Sequence, residues 1–207
     1  MEKKRIKVAI AKGRILEEVL RLMKNCGYAT KTIRKNTREL VFDIDNIRVL
    51  ICKPADVPKY VELGAADCGL VGSDCIAEAG CDIYEPHELP IGKCKMVLAC
   101  LKNKKLKLLA GSILTIGTKY PNITKEYFAK KKISPEIVYL NGSVELAPLV
   151  GLADAIVDIT ETGETIKKNN LKVIDVVKEV CCKLVVNKTS QKTVGKEIRF
   201  FISSLLK

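Results

Sequence analysis

The stretch that most limits what this chain can become runs from Gly151 to Thr165: Gly-Leu-Ala-Asp-Ala-Ile-Val-Asp-Ile-Thr-Glu-Thr-Gly-Glu-Thr. Ala155, Val157 and Ile159 alternate with Asp154, Ile156 and Asp158, and β-branched residues crowd the middle. That is the pattern of a strand, and its near-continuous apolar content suits a buried parallel one. The apolar content then stops. Thr160, Glu161, Thr162, Gly163, Glu164 and Thr165 make a small, hydroxyl-rich loop, and Ile166-Lys167-Lys168 reads as the first turn of a helix.

A loop of this kind has a chemical use. A helix start offers backbone N–H groups without intrahelical partners. Gly163 lets the backbone close around a bound group, and Thr162 and Thr165 add hydroxyl donors. Together they suit a phosphate monoester. Asp154 and Asp158 share one strand face by the period of two. Carboxylates beside a phosphate cradle repel a bare anion, so they point to sugar hydroxyls or to a metal carried by the ligand. A plain strand-to-helix turn capped by Thr has the same pattern, and the residues alone leave both readings open.

The bulk numbers narrow the class. A chain of 207 residues, 47% hydrophobic and 29% charged, can bury the core of one large domain or two small lobes. No apolar run reaches the length of a membrane span. Met1-Glu-Lys-Lys-Arg-Ile-Lys7 leads into a short strand and not into the apolar region of a signal peptide, so a cytoplasmic protein is expected. Nine cysteines and one histidine, with no Cys-x-x-Cys, point to free thiols in a reducing compartment rather than to zinc. His87 in Glu85-Pro-His-Glu88 reads as a surface residue in a loop. The net charge of +12 suits anionic partners. With 5% aromatic residues and no nucleic-acid motif, small phosphorylated molecules fit better than nucleic acid.

Read in order, the chain alternates strands and helices. Lys7–Ala11 is a first strand, Lys12-Gly-Arg14 a turn, and Leu16, Val19, Leu20 and Met23 recur at helical spacing up to Gly27. Lys12 and Arg14 place cations at that helix start, and Arg can grip phosphate in bidentate fashion. Leu40–Ile44, Asp45-Asn46 and Ile47–Ile51 form a hairpin. Asp56 is the expected N-cap of a short helix ending at Gly64. Cys68–Val71 is a strand, with Gly72-Ser73-Asp74 opening another helix.

Gly64-Ala-Ala-Asp-Cys-Gly-Leu-Val71 echoes Gly151-Leu-Ala-Asp-Ala-Ile-Val-Asp158, as two similar α/β lobes would. Lys95–Leu101, Leu114–Gly117, Ile137–Leu140, Leu171–Val177 and Leu184–Val186 are further strands. Ser143 is the expected cap of a short helix at Glu145. Val194, Ile198, Phe201 and Leu205 mark a last helix that crosses back to the first lobe. The expectation is α/β: two lobes of mixed, largely parallel sheet flanked by helices, with a cleft between them. Lobe I covers 1–91 and 184–207, and lobe II covers 92–183.

The acid-x-x-x-acid-x-x-x-Thr-Gly-x-Thr pattern resembles the phosphoribosyl-diphosphate (PRPP) loop of phosphoribosyltransferases. Leu140–Asp158 leading into it, with Ala11–Arg14, Ala55–Val61, Gly64–Asp67, Gly92–Cys94, Thr118–Asn122 and Asn141–Glu145, resembles the ATP phosphoribosyltransferases in the same order over nearly the whole chain. The length is similar to the family's short form. The resemblance implies a fold like type II periplasmic solute-binding proteins. It also implies transfer of the phosphoribosyl group of PRPP to N1 of ATP, giving phosphoribosyl-ATP and pyrophosphate, the first step of histidine biosynthesis.

Further implications follow for ligands and partners. PRPP would be held by Asp154, Asp158, Thr160, Glu161, Thr162, Gly163, Glu164 and Thr165, with Asp154 on a ribose hydroxyl. ATP or diphosphate would meet Lys12, Gly13, Arg14, Lys53, Gly72, Ser73, Lys95 and Glu145. Mg2+ would arrive with PRPP, and no general base is needed because adenine N1 has a free lone pair. A homo-oligomer would assemble with a regulatory subunit related to histidyl-tRNA synthetase. Lys53 and Lys95 stand where Arg is expected in many relatives, and Glu164 is an unusual anion in such a loop. The alternative is a non-enzymatic anion- or solute-binding module of the same fold.

Overall fold

The structure, a computed structural model, describes residues 5–33 and 38–206. Its strands are β1 (Ile6–Ala11), β2 (Val41–Ile44), β3 (Ile47–Cys52), β4 (Cys68–Gly72), β5 (Tyr84–Leu101), β6 (Thr115–Thr118), β7 (Glu136–Tyr139), β8 (Ala155–Thr160) and β9 (Leu171–Val186). Its helices are α1 (Arg14–Asn25), α2 (Val57–Glu62), α3 (Ser73–Ala79), α4 (Pro121–Lys130), α5 (Leu146–Leu149), α6 (Glu164–Lys168), α7 (Lys188–Thr193) and α8 (Gly195–Leu205). The chain divides into two compact units, 1–92 with 181–207, and 93–180. Among the described residues no helix is long and apolar enough to cross a membrane.

In the first unit β1 lies between β3 and β4 and runs parallel to both. Its Ile6, Val8, Ala9 and Ile10 are buried on both sheet faces, which is why the strand reads as an apolar run. The β2–β3 hairpin turns at Asp45, whose φ of 49° is tolerated by Asp. The end of β9 runs antiparallel to β4. α8 buries Ile198, Phe201 and Leu205 in the same core as β1, β3 and α1, as the periodicity predicts. Tyr28 meets Phe201 edge-on at 5.8 Å.

In the second unit β6 lies between β7 and β8 and is parallel to both, while β5 is antiparallel to β8. Ile116, Ile156 and Val157 are buried at its centre, and Phe128 anchors α4 with no exposure. The nine thiols are all free. Cys68 and Cys182 are fully buried in the first unit, and Cys94 and Cys100 are buried in the second. Burial pushes the Cys182 thiol up to about 12 and raises Cys68 as well.

Several local expectations are corrected. The Glu85-Pro-His-Glu88 stretch is strand rather than loop, because β5 begins at Tyr84; His87 is nevertheless exposed. Leu171–Val177 and Leu184–Val186 are one strand, β9, joined through the charged, exposed Lys178-Glu179 region. Asp56 does not cap α2. A 3-10 turn over Pro54–Asp56 gives it helical φ and ψ of −91° and −23°, whereas a capping side chain needs an extended residue. Ser143 sits at φ 49° and also makes no cap bond. The working cap is Asn187, whose Oδ1 accepts from the N–H groups of Thr189 and Ser190 at 3.0 and 2.8 Å.

Candidate active site

Because β6, β7 and β8 are parallel, their C-terminal ends share one edge of the second unit. Open α/β sheets bind ligands at that edge. Three loops leave it: Lys119-Tyr120 after β6, 140–145 after β7 and 161–163 after β8. Lys95 joins them, since it pairs in register with Thr160 on the antiparallel β5. The sheet therefore collects Lys95, Glu145, Asp158 and the Thr160–Thr165 loop at one end.

The loop after β8 is tied by its own hydroxyls. Thr160 Oγ1 accepts from the Gly163 N–H at 3.0 Å, and Thr162 Oγ1 accepts from the Glu164 N–H at 3.3 Å. Gly163 has φ 78°, a left-handed conformation that glycine adopts freely. A Cβ built there meets nothing within 4 Å, so backbone conformation, not crowding within the chain, demands the glycine. Glu161, Thr162, Glu164 and Thr165 are exposed. The backbone N–H groups of residues 162–165 lie at this mostly exposed start of α6. α6 has only five residues, so these amides, rather than a long helix dipole, are what the loop offers an anion. The Glu164 carboxylate reaches along the helix to Lys168 at 3.4 Å, away from the loop's amides.

Asp154 and Asp158 do not act together. Asp154 precedes β8, and the six residues of that strand put about 20 Å between it and the loop. Its carboxylate accepts from Lys104 Nζ at 2.5 Å and from the Thr115 N–H at 2.8 Å. The Lys104 hydrogen bond holds it below the ordinary carboxylate range. The expectation that Asp154 meets a ribose hydroxyl beside the loop is therefore corrected: it pins β8 to the start of β6 at the opposite edge.

Asp158 is half-buried next to the loop. Burial raises its carboxyl above the ordinary range, Glu145 raises it further by repulsion, and Lys119 opposes both. These three side chains are thus within electrostatic reach of one another. Lys119 lies in the Thr118–Asn122 run but was not among the expected site residues. The signal that finds it is its position one residue past a strand parallel to β8.

The first unit repeats the geometry. Ala11, Cys52 and Gly72 end the parallel strands β1, β3 and β4 at one edge. Lys12, Gly13, Arg14 and Lys53 emerge there, all exposed. The Lys12 N–H donates to the Cys52 carbonyl at 2.8 Å, fixing the first turn beside Lys53. Arg14 lies 3.4 Å from the Gly92 carbonyl and 3.8 Å from Glu18. Ser73 is buried, and its hydroxyl accepts from the Cys181 N–H at 3.3 Å, so it braces α3 against β9. A Cβ at Gly72 would fall 2.1 Å from Asp74 Oδ1, so any larger residue there would displace that side chain. Its Asp74 neighbour is 5% exposed. On the second unit, Lys95 pairs loosely with Glu179 at 3.5 Å, both side chains largely exposed, a pair that contributes little.

Residues 53–207 match the family described as HisG: ATP phosphoribosyltransferase. The chain is 44% identical over 204 residues to the ATP phosphoribosyltransferase of Citrifermentans bemidjiense, covering 97% of this chain and 96% of that protein. It superposes with a TM-score of 0.83 and 36% identity on a chain of the ATP phosphoribosyl transferase (HisG:HisZ) complex from Thermotoga maritima, covering 97% and 96%. The alkanesulfonate-binding protein SsuA from Xanthomonas axonopodis pv. citri matches at TM-score 0.63 with 13% identity, covering 99% of this chain and 73% of that one, a likeness of fold alone.

Proposed function

This chain belongs to the HisG family of ATP phosphoribosyltransferases, and from that premise we propose that it transfers the phosphoribosyl group of PRPP to N1 of ATP. The products are phosphoribosyl-ATP and pyrophosphate, the first step of histidine biosynthesis. The observation that carries this reading onto particular residues is the loop after β8, exposed and hydroxyl-rich, with a left-handed Gly163 and with Asp158 two residues before it begins. Thr160, Glu161, Thr162, Gly163, Glu164 and Thr165 hold the 5-phosphate, chiefly through main-chain N–H groups. Asp158 takes the ribose hydroxyl role once expected of Asp154. Lys12, Gly13, Arg14, Lys53 and Lys95 meet the anionic oxygens of ATP or diphosphate. Gly72 and Ser73 serve by shaping the backbone after β4.

Adenine N1 carries its own lone pair, so attack on the anomeric carbon needs no general base. Positive charge develops on the ribose ring as the bond to pyrophosphate breaks. Catalysis then consists of positioning the two substrates and stabilising the departing diphosphate, which cations do well. Carboxylates near the ring, Asp158 and Glu145, favour the developing positive charge.

Mg2+ is proposed to arrive on PRPP. Among the described residues no cluster of three or more His, Cys, Asp or Glu side chains forms a metal cage. Mg2+ commonly takes one or two protein carboxylates plus substrate phosphates, and Asp158 and Glu145 suit that smaller share. When bound, the ion supplies neutralisation of the diphosphate charge. The HisZ of the Thermotoga complex supports a further proposal: this chain forms a homo-oligomer that assembles with a regulatory subunit related to histidyl-tRNA synthetase, in the cytoplasm.

The test mixes the protein, with its matched partner subunit, with ATP, PRPP and Mg2+. Pyrophosphate and phosphoribosyl-ATP should appear together in equal amounts. Folded, assembled protein that releases neither would reject the assignment.

A further inference from the structure

We propose that Lys119 binds an anionic oxygen of the phosphorylated sugar, and that the buried Thr118 hydroxyl is the positioning group that aims it. This inference rests on the PRPP reading above. Thr118 pairs in register with Val157, so Lys119 falls beside Asp158 on the neighbouring strand, where strands lie about 4.8 Å apart. Lys119 is exposed, while Thr118 and Tyr120 on either side of it are buried. Two anchored residues thus flank one exposed lysine at the edge from which the loop after β8 leaves.

The anchor is specific. Thr118 has no exposed surface. Its Oγ1 donates to the Val157 carbonyl at 2.7 Å and accepts from the Tyr120 N–H at 2.9 Å. The second bond closes a side-chain turn over Lys119, which sets the direction in which that residue leaves the sheet. The first bond ties the same turn to the residue preceding Asp158. The Thr118 carbonyl also accepts from the Leu140 N–H at 3.0 Å, at the start of the segment leading to Glu145. Thr124 Oγ1 donates to the Tyr120 carbonyl at 2.6 Å and holds the far side of the turn. One residue therefore ties the loops after β6 and β7 to β8, the strand that leads into the third loop. A valine of equal shape would fill the space and lose both hydroxyl bonds.

A lysine beside Asp158 has a second candidate role, that of offsetting the carboxylate's charge. The two roles differ in what they move. A sugar-phosphate contact weakens PRPP binding when removed, whereas a purely offsetting charge changes stability and leaves affinity alone.

The experiment uses the full chain with its partner subunit and measures PRPP affinity by calorimetry, steady-state KM for PRPP and ATP, and Tm. Lys119→Met should raise the PRPP Kd and KM about tenfold or more, as loss of a charge-assisted contact does, with the KM for ATP and the Tm nearly unchanged. Thr118→Val should weaken PRPP binding in the same direction, and Thr118→Ser should restore it. In the Lys119→Met background, Thr118→Val should add little further loss of PRPP affinity. Unaltered PRPP affinity in Lys119→Met overturns the proposal even if Thr118→Val fails to fold. Fully additive losses in the double variant overturn the positioning role. Wild-type protein that does not bind PRPP would overturn the underlying reading instead, so the two failures are separable.

Discussion

The two ends of β8 carry the same kind of side chain in opposite circumstances. Asp154 is matched to a lysine and a backbone N–H, and its charge is settled within the fold. Asp158 is half-buried, with Glu145 opposing its charge and its neighbour's N–H and Lys119 favouring it. One carboxylate stabilises the strand, and the other is placed where burial opposes its charge. On the proposed reading, the sheet separates duties: stability at the edge where strands enter, ligand chemistry at the edge where they leave.

The largest expected effect breaks the ligand end outright. Gly163→Val forces a β-branched residue into φ 78°, a conformation that strains such side chains by about 1–3 kcal/mol and that the loop would relax by rearranging. Turnover should fall by about two orders of magnitude, with PRPP affinity lost in parallel. Unchanged PRPP affinity would show that this loop is not the phosphate cradle.

Asp158→Asn gives the next largest effect, and it sharpens the contrast because two readouts move in opposite directions. Activity should drop by about one order of magnitude or more, while Tm at neutral pH should rise by about 2–4 °C. The sign follows from linkage: burial raises the folded carboxyl above its unfolded value, so ionisation disfavours the fold. The gain from Asn should fade as pH falls to the ordinary carboxylate value of about 3.9. A fall in Tm at neutral pH would mean that the charge is compensated in the free protein.

At the other end, Asp154→Asn should lower Tm by about 2–4 °C, for an exposed pair and a backbone bond contributing about 1 kcal/mol in all. PRPP affinity should stay at the wild-type level, and a large loss would return Asp154 to the site. The smallest effect is in pH. Lys104 holds the folded Asp154 carboxyl below its unfolded value, so its contribution is present above about pH 3.9 and is lost as pH falls through the lower folded value. Acid unfolding followed by circular dichroism should therefore begin at higher pH in Lys104→Met than in the wild type.

The sequence exposed these regions unequally. β8, its loop and the β2–β3 hairpin were readable because strand alternation, Gly163 and Asp45-Asn46 are local signals. The period of two placed Asp154 and Asp158 on one face but carried no information about which end of the sheet each occupies. That depends on Lys104 and Thr115, far away in sequence. Lys119 was readable as part of a family-like run, yet its place beside Asp158 required knowing that β6 and β8 are parallel neighbours. Long β5 and β9 were seen only in pieces, since exposed charges and Pro86 interrupt their apolar pattern. The caps at Asp56 and Ser143 failed because residue type permits a cap but backbone angles decide it.

The sulfhydryls sealed in the sheets give the molecule an internal stopwatch. Cys68 and Cys182 sit on paired strands of one unit, while Cys94 and Cys100 sit on β5 in the other. None of the four can meet an alkylating reagent until the surrounding strands part, and burial, which disfavours the reactive thiolate of Cys68 and Cys182, slows their reaction further. Timed alkylation read by peptide mass spectrometry would thus clock transient opening of each half separately, with no label introduced by mutation.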